Sequence, residues 1–172
     1  VYLLSTFAGT VDFGGGPLVS QGASDVALVK HTSFGKLEWA LRFGGASGAI
    51  AGRVAAGPDG NVLVAGSFTG SLSIGDTKLE SAGLQDAYVA SFTPAGDLRW
   101  AKALGGAGDD IANTVAVGAS GDVFVAGYFS GQVDFGDGAP IAEAGTGDVF
   151  VVSLDASGGF RCPCRRAHIC NR

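Results

Sequence analysis

Apolar and polar residues alternate along 37–43, where Leu37, Trp39, Leu41 and Phe43 are separated by Glu38, Ala40 and Arg42. A period of two sends alternate side chains to opposite faces, so this stretch predicts a strand with two unlike faces. Residues 62–68, 87–92 and 149–154 are instead nearly continuous apolar runs rich in Val, Phe and Tyr. Such runs predict strands buried on both faces. They are too short for core helices, and their Gly and β-branched residues oppose one. Turn chemistry separates the runs at Pro58-Asp59-Gly60-Asn61, Pro94-Ala95-Gly96-Asp97, Ser120-Gly121-Asp122 and Ser157-Gly158-Gly159. No stretch carries a sustained helical period.

The whole pattern returns with a step of 61 residues. VYLLSTFAGTVDFG from Val1 aligns with VLVAGSFTGSLSIG from Val62 and VFVAGYFSGQVDFG from Val123. Leu37-Glu38-Trp39-Ala40 aligns with Leu98-Arg99-Trp100-Ala101, and Gly44-Gly45 with Gly105-Gly106. One residue inserted near Pro140 brings Asp25 and Asp86 into line with Asp148. A full unit predicts four strands, over 50–57, 61–68, 85–92 and 97–104. Residues 72–74 extend the second strand or form a small edge, and the loop 75–84 lies at a rim. Four antiparallel strands repeated at a fixed period are the sequence form of a propeller blade.

The predicted fold is therefore all-β: antiparallel four-stranded blades with a 61-residue period, in an incomplete, open β-propeller of two to three blades and about eleven strands. Residues 1–43 form a partial first blade lacking its leading strand, and 49–104 a second blade. Residues 110–160 form a partial third blade lacking most of its last strand, and 161–172 a disordered tail outside the repeat. The two gaps are complementary, so edge-to-edge self-association between chains is expected. The chain opens at Val1 inside a strand, with neither Met nor a signal peptide. That predicts a piece of a longer reading frame, or an open arc of blades.

The third copy runs Gly105-Gly106-Ala107-Gly108-Asp109-Asp110, then Thr114-Val115-Ala116-Val117, then Gly121-Asp122-Val123-Phe124-Val125-Ala126-Gly127, then Val133-Asp134-Phe135-Gly136. This wording resembles the SBBP-type bacterial β-propeller repeats, and the resemblance covers residues 1 to about 161. It implies a propeller fold and a non-catalytic binding or scaffolding role in an exported, cell-surface bacterial protein. It transfers no catalytic motif.

Composition narrows the classes. The 172 residues are 47% apolar and only 16% charged, with 30 Gly, so a packed core is affordable and charge-driven disorder is excluded. No apolar run is long enough for a membrane-spanning helix. The net charge of −5 hides two regions. Residues 1–160 carry seven Lys and Arg against all sixteen Asp and Glu, while 161–172 carry four Arg and no acid. An acidic body without a basic cluster argues against nucleic-acid binding.

Candidate chemistry is sparse. Trp39 and Trp100 recur at one register; they read as packing between blades, with sugar stacking as the alternative. Asp12 and Asp134 share a position that Ser73 holds in the middle copy, and Asp109-Asp110 follows a Gly-rich turn. Calcium needs several convergent oxygens, and the nearest approach is 134–137 with Gly136 and Gly138. Turn formation and strand capping explain these residues, and also Asp25, Asp86 and Asp148. Gly14-Gly15-Gly16 and Gly105-Gly106-Ala107-Gly108 lack the Lys-Ser/Thr of a phosphate loop and read as turns needing positive φ. His31 stands alone near a strand end. Cys162, Cys164, His168 and Cys170 are four possible soft ligands, but their spacing matches no familiar zinc site. Composition breaks abruptly where Cys162 replaces the expected Trp, which reads as a frameshift just past Arg161.

No catalytic, cofactor or metal residue is assigned. The functional expectation is a non-catalytic binding or structural module, extracellular or on the cell surface, whose partner is a protein or a glycan. The alternatives are a fragment of a propeller enzyme, glycan-active or quinone-dependent, and a calcium-dependent adhesion module.

Overall fold

A computed structural model describes residues 1–135 and 140–161. Among them there is no helix. Fourteen strands run in the order β1 (Tyr2–Phe7), β2 (Thr10–Asp12), β3 (Pro17–Val19), β4 (Asp25–His31), β5 (Leu37–Phe43), β6 (Gly48–Ala56) and β7 (Val62–Ile74), then β8 (Thr77–Phe92), β9 (Leu98–Gly106), β10 (Asp110–Val117), β11 (Val123–Phe129), β12 (Gln132–Asp134), β13 (Ile141–Ala142) and β14 (Asp148–Leu154). They form a three-stranded sheet β1-β4-β5, a central six-stranded sheet β13-β12-β9-β8-β7-β6, a three-stranded sheet β10-β11-β14 and the hairpin β2-β3. All strand pairings are antiparallel, and no sheet closes on itself.

The central sheet separates two apolar cores. On one face Val62, Val64, Phe68, Tyr88, Ala90 and Phe92 pack with Val26, Leu28 and Phe43 of the first sheet. On the other, Leu63, Ala65, Ala87, Val89 and Leu104 pack with Val115, Val125, Phe129, Phe150 and Val152 of the third. This is why β7 and the second half of β8 read as unbroken apolar runs: both faces are covered. The run 149–154 departs from the same expectation. Val149 is 61% exposed and Val151 36%, because β14 is covered on one face only.

The loop expected at 75–84 is largely strand. β7 and β8 continue to a tight turn at Gly75-Asp76, with Ile74 paired to Thr77 and Leu72 to Leu79. The signal was present in the alternation of Leu72 and Ile74 with Ser71 and Ser73. Leu72 and Ile74 are buried, and the serines lie on the other side of the pleat. The strand total exceeds the expected eleven because the hairpin tips 10–19 and 132–142 form short strands of their own.

The tip of the β7–β8 hairpin and strand β12 stitch one sheet to the next. Gly44, at the end of β5, exchanges two backbone hydrogen bonds with Ser73, at 2.9 and 3.2 Å. Gly105 and Gly106, at the end of β9, pair likewise with Asp134 and Val133. The approach is too close for side chains. A Cβ on Gly45 would overlap the carbonyl oxygen of Ser71, and one on Gly106 that of Gln132. None of Gly44, Gly45, Gly105, Gly106 or Gly108 has positive φ. The expectation of strained turns is therefore corrected at Gly105-Gly106-Ala107-Gly108, whose glycines are needed for space. At Gly14 and Gly16 it holds, with φ of 98° and 105°.

Gly106→Ala and Gly45→Ala should each lower folding stability by about 2 kcal/mol, since the backbone must shift to admit the methyl group. Gly145→Ala, where a Cβ meets nothing within 4 Å, should stay within about 0.5 kcal/mol of the parent. Urea unfolding of the three variants provides the comparison.

Candidate functional site at the seams between sheets

The candidate residues gather where one sheet passes to the next, and each finds a structural partner there. Trp39 on β5 donates its indole N–H to the carbonyl oxygen of Pro94, and Trp100 on β9 donates to that of Ala156, both at 3.1 Å. Each indole also lies against a turn glycine. A Cβ on Gly96 would stand 3.3 Å from the Trp39 ring, and one on Gly158 2.9 Å from the Trp100 ring. Both glycines have positive φ, at the β8–β9 turn and at the turn after β14. Each Trp thus fastens its strand to the turn of the following sheet. Both are half-buried, and neither is the open platform that sugar stacking needs.

A carboxylate holds the stretch that leads into each of three equivalent strand segments, in β4, in the second half of β8 and in β14. Asp25, at the start of β4, accepts the N–H of Gln21. Asp86 within β8 accepts that of Ala82, and Asp148, at the start of β14, that of Ala144. The reach of four residues back is the same in all three. Asp12 caps the Gly14 and Gly16 turn with two further bonds. Asp12, Asp25 and Asp148 sit at turns, as expected. Asp86 instead lies inside β8, and both it and Asp25 are buried, which sequence reasoning did not anticipate.

Burial makes the counter-charge decisive. At the first seam Arg42 on β5 reaches the Oδ2 of Asp25 at 2.5 Å. Sequence reasoning missed this pair; the available signal was a lone Arg in an apolar-rich strand where the next copy has Ala103. At the second seam Ala103 brings no charge, and Asp110 at the start of β10 stands where the previous copy has Ala49. Asp110 is fully buried and accepts the N–H of Gly106 at 2.7 Å. A Cβ on Gly105 would lie 2.7 Å from Oδ2 of Asp86 and 2.8 Å from Oδ2 of Asp110, so the two carboxylates converge over a bare glycine. Burial, reinforced by the charges of Asp86 and Asp109, pushes the Asp110 carboxyl up to about 6. Burial likewise raises Asp86, against the pull of the Ala82 and Gly83 N–H groups.

His31 closes β4, and its carbonyl oxygen accepts the N-terminal ammonium of Val1. Asp109 lies beside Ser130, whose Oγ takes the Asp109 N–H. Asp134 pairs opposite Gly105 on β12. Gly136, Asp137 and Gly138, and Cys162, Cys164, His168 and Cys170, lie outside the described residues. Among the described residues no group of three or more His, Cys, Asp or Glu is placed to hold a metal ion, and no helix is long and apolar enough to cross a membrane.

No protein-family model matches the chain. Two curated proteins resemble it. The regulatory protein FlaEY of Caulobacter vibrioides is 34% identical over 135 residues, which is 74% of this chain and 14% of that protein. An uncharacterised WD repeat-containing protein of Acanthamoeba polyphaga mimivirus is 29% identical over 128 residues, 67% of this chain and 9% of that protein. The chain thus spans a small part of the length of each relative.

Trp100→Phe and Trp39→Phe each remove the indole donor from a turn carbonyl that Arg99 or Lys30 still reaches, and should cost about 1 kcal/mol in urea unfolding. The emission of neither Trp should respond to added polysaccharide, since both rings are engaged at seams.

Proposed function

We propose that this chain is a stretch of a β-propeller-like array of the SBBP type, in which 1–43, 49–104 and 110–160 are successive blades. Its role is that of a non-catalytic binding or structural module of an exported bacterial cell-surface protein, with a protein or glycan as ligand. The stacking of the three larger sheets carries this reading. Leu63, Ala65, Ala87 and Val89 of the central sheet are covered by the third sheet. Their counterparts in the repeat are Phe124, Ala126, Val149 and Val151. Phe124, Val149 and Val151 are apolar and exposed. Such a face is suited to receive one more sheet of the same kind, as blades do around a propeller axis.

The residue types that could have built an active site support the non-catalytic reading through what occupies them. The tryptophans fasten turns, the paired glycines admit backbone, and the repeated aspartates each accept a backbone N–H from four residues back. The name of the mimivirus relative, a WD repeat-containing protein, supports a propeller-like array. The name of the Caulobacter relative, a regulatory protein, supports a role exercised through binding.

The test is a chain in which a copy of residues 49–104 follows residue 160. A blade array should seat the added unit on the face of Phe124, Val149 and Val151, raising the thermal midpoint and reducing the binding of an apolar dye. An unchanged midpoint with undiminished dye binding would overturn the array, and turnover of a glycoside or a quinone by the parent chain would overturn the non-catalytic role.

A further inference from the structure

The two seams of the molecule carry different charges, and the difference is built from two positions. At the first seam one buried carboxylate, Asp25, faces one guanidinium, Arg42. At the second, Arg42 is replaced by Ala103 and Ala49 by Asp110, so two buried carboxylates meet with no cation. Among the described residues no Lys or Arg forms an ion pair with Asp86 or Asp110. One oxygen of each, Oδ1, is buried without a hydrogen-bond partner. Two like charges in a water-poor seam cannot both be kept without a compensating positive charge.

We propose that Asp86 and Asp110 share a single proton in the folded protein, and that its loss as pH rises loosens the seam between the central sheet and the β10-β11-β14 sheet. The step is a simple ionisation. The proton leaves one carboxyl for water, and the seam passes from one negative charge to two. The proposal is independent of any ligand or export role. Carboxylate pairs that converge in this way retain one proton well above the usual carboxylate range.

The other groups around the pair do not neutralise it. From the β9–β10 link Asp109 adds a further negative charge. On β9, Lys102 lies 5.3 Å over the Phe160 ring, and Arg99 reaches Ser91 and Ala156. On β6, Arg53 is exposed, and β7 carries no titratable residue. On β8, the Tyr88 hydroxyl donates to the carbonyl oxygen of Ile50, and on β11 Tyr128 is exposed. On β12, Asp134 pairs opposite Gly105. On β14, Asp148 lies in the same cross-strand row as Asp110, with Phe129 between them.

The sign follows from the direction of the shift. The folded carboxyl is raised above its unfolded value, so the folded state binds more protons between the two values. Its contribution to stability is complete below the ordinary value of 3.8 and is lost as pH rises through about 6. Asp86, also raised, acts in the same sense.

Urea unfolding of the whole chain from pH 4 to 8 tests the proposal, with Asp110→Asn and Ala103→Arg beside the parent. Parent stability should fall across this range. Asp110→Asn cannot ionise and should not show that fall, so the ratio of the variant's folding constant to the parent's should grow by on the order of a hundredfold from pH 4 to above 7. Ala103→Arg places a guanidinium where Arg42 stands at the first seam and should also flatten the profile. A parent slope that Asp110→Asn and Ala103→Arg both retain would overturn the proposal. So would a calcium-dependent rise in midpoint at pH 8 that Asp110→Asn abolishes, since a metal ion rather than a proton would then be the shared cation.

Discussion

Everything in this molecule depends on backbone reaching backbone across the ends of β5 and β9. There the strand of one sheet ends in two glycines, and the hairpin tip of the next segment lies directly on them. The contact works because nothing projects from the glycine Cα. The hydrogens of Gly45 and Gly106 leave room for the carbonyls of Ser71 and Gln132, and those of Gly44 and Gly105 leave room for a carboxylate. Any other residue would force the two sheets apart, separating Leu72 and Ile74 from the core they complete.

The same closeness creates the electrostatic problem that the two seams resolve differently. An aspartate near each glycine accepts a backbone N–H from four residues back, and the packing that admits it also strips it of water. At the first seam the opposite charge is a fixed guanidinium. At the second it must be a mobile cation, and a proton is the smallest available. A joint between two sheets thereby becomes sensitive to its surroundings, while the neighbouring joint, built from almost the same residues, is held by a permanent ion pair. A sequence repeat and a local adaptation thus coexist, and the adaptation is visible because the repeat supplies its own reference.

Much of this was legible along the chain. The 61-residue step, the absence of helices among the described residues and the double burial of 62–68 follow from periodicity and local propensity, and short-range rules govern both. The recurrence of Trp39 and Trp100 suggested packing, and their indole bonds to Pro94 and Ala156 give that packing its form. The lengthening of β7 and β8 to Gly75 was half-visible in the alternation at 71–74. It was obscured by the polar residues of 75–84, which suggest a loop until β7 gives them a partner. The exposure of Val149 and Val151 could not be read from their hydrophobicity, because a one-sided and a two-sided strand can share one composition.

What the sequence determined alone is the unit: its strands, its turns at Gly60, Gly96 and Gly121, and the spacing at which they recur. These rest on the conformational preferences of individual residues and on the alternation of side chains, and neither needs a partner distant in the chain. What the tertiary structure decided is the meaning of the small and charged residues. Whether a glycine serves a turn or a close approach depends on what lies against it. Whether an aspartate is a solvated turn residue or a buried charge depends on the sheet that covers it. Gly105 and Asp110 are ordinary residues in the sequence, and they become the critical pair of the second seam because strands from three segments meet there and exclude water.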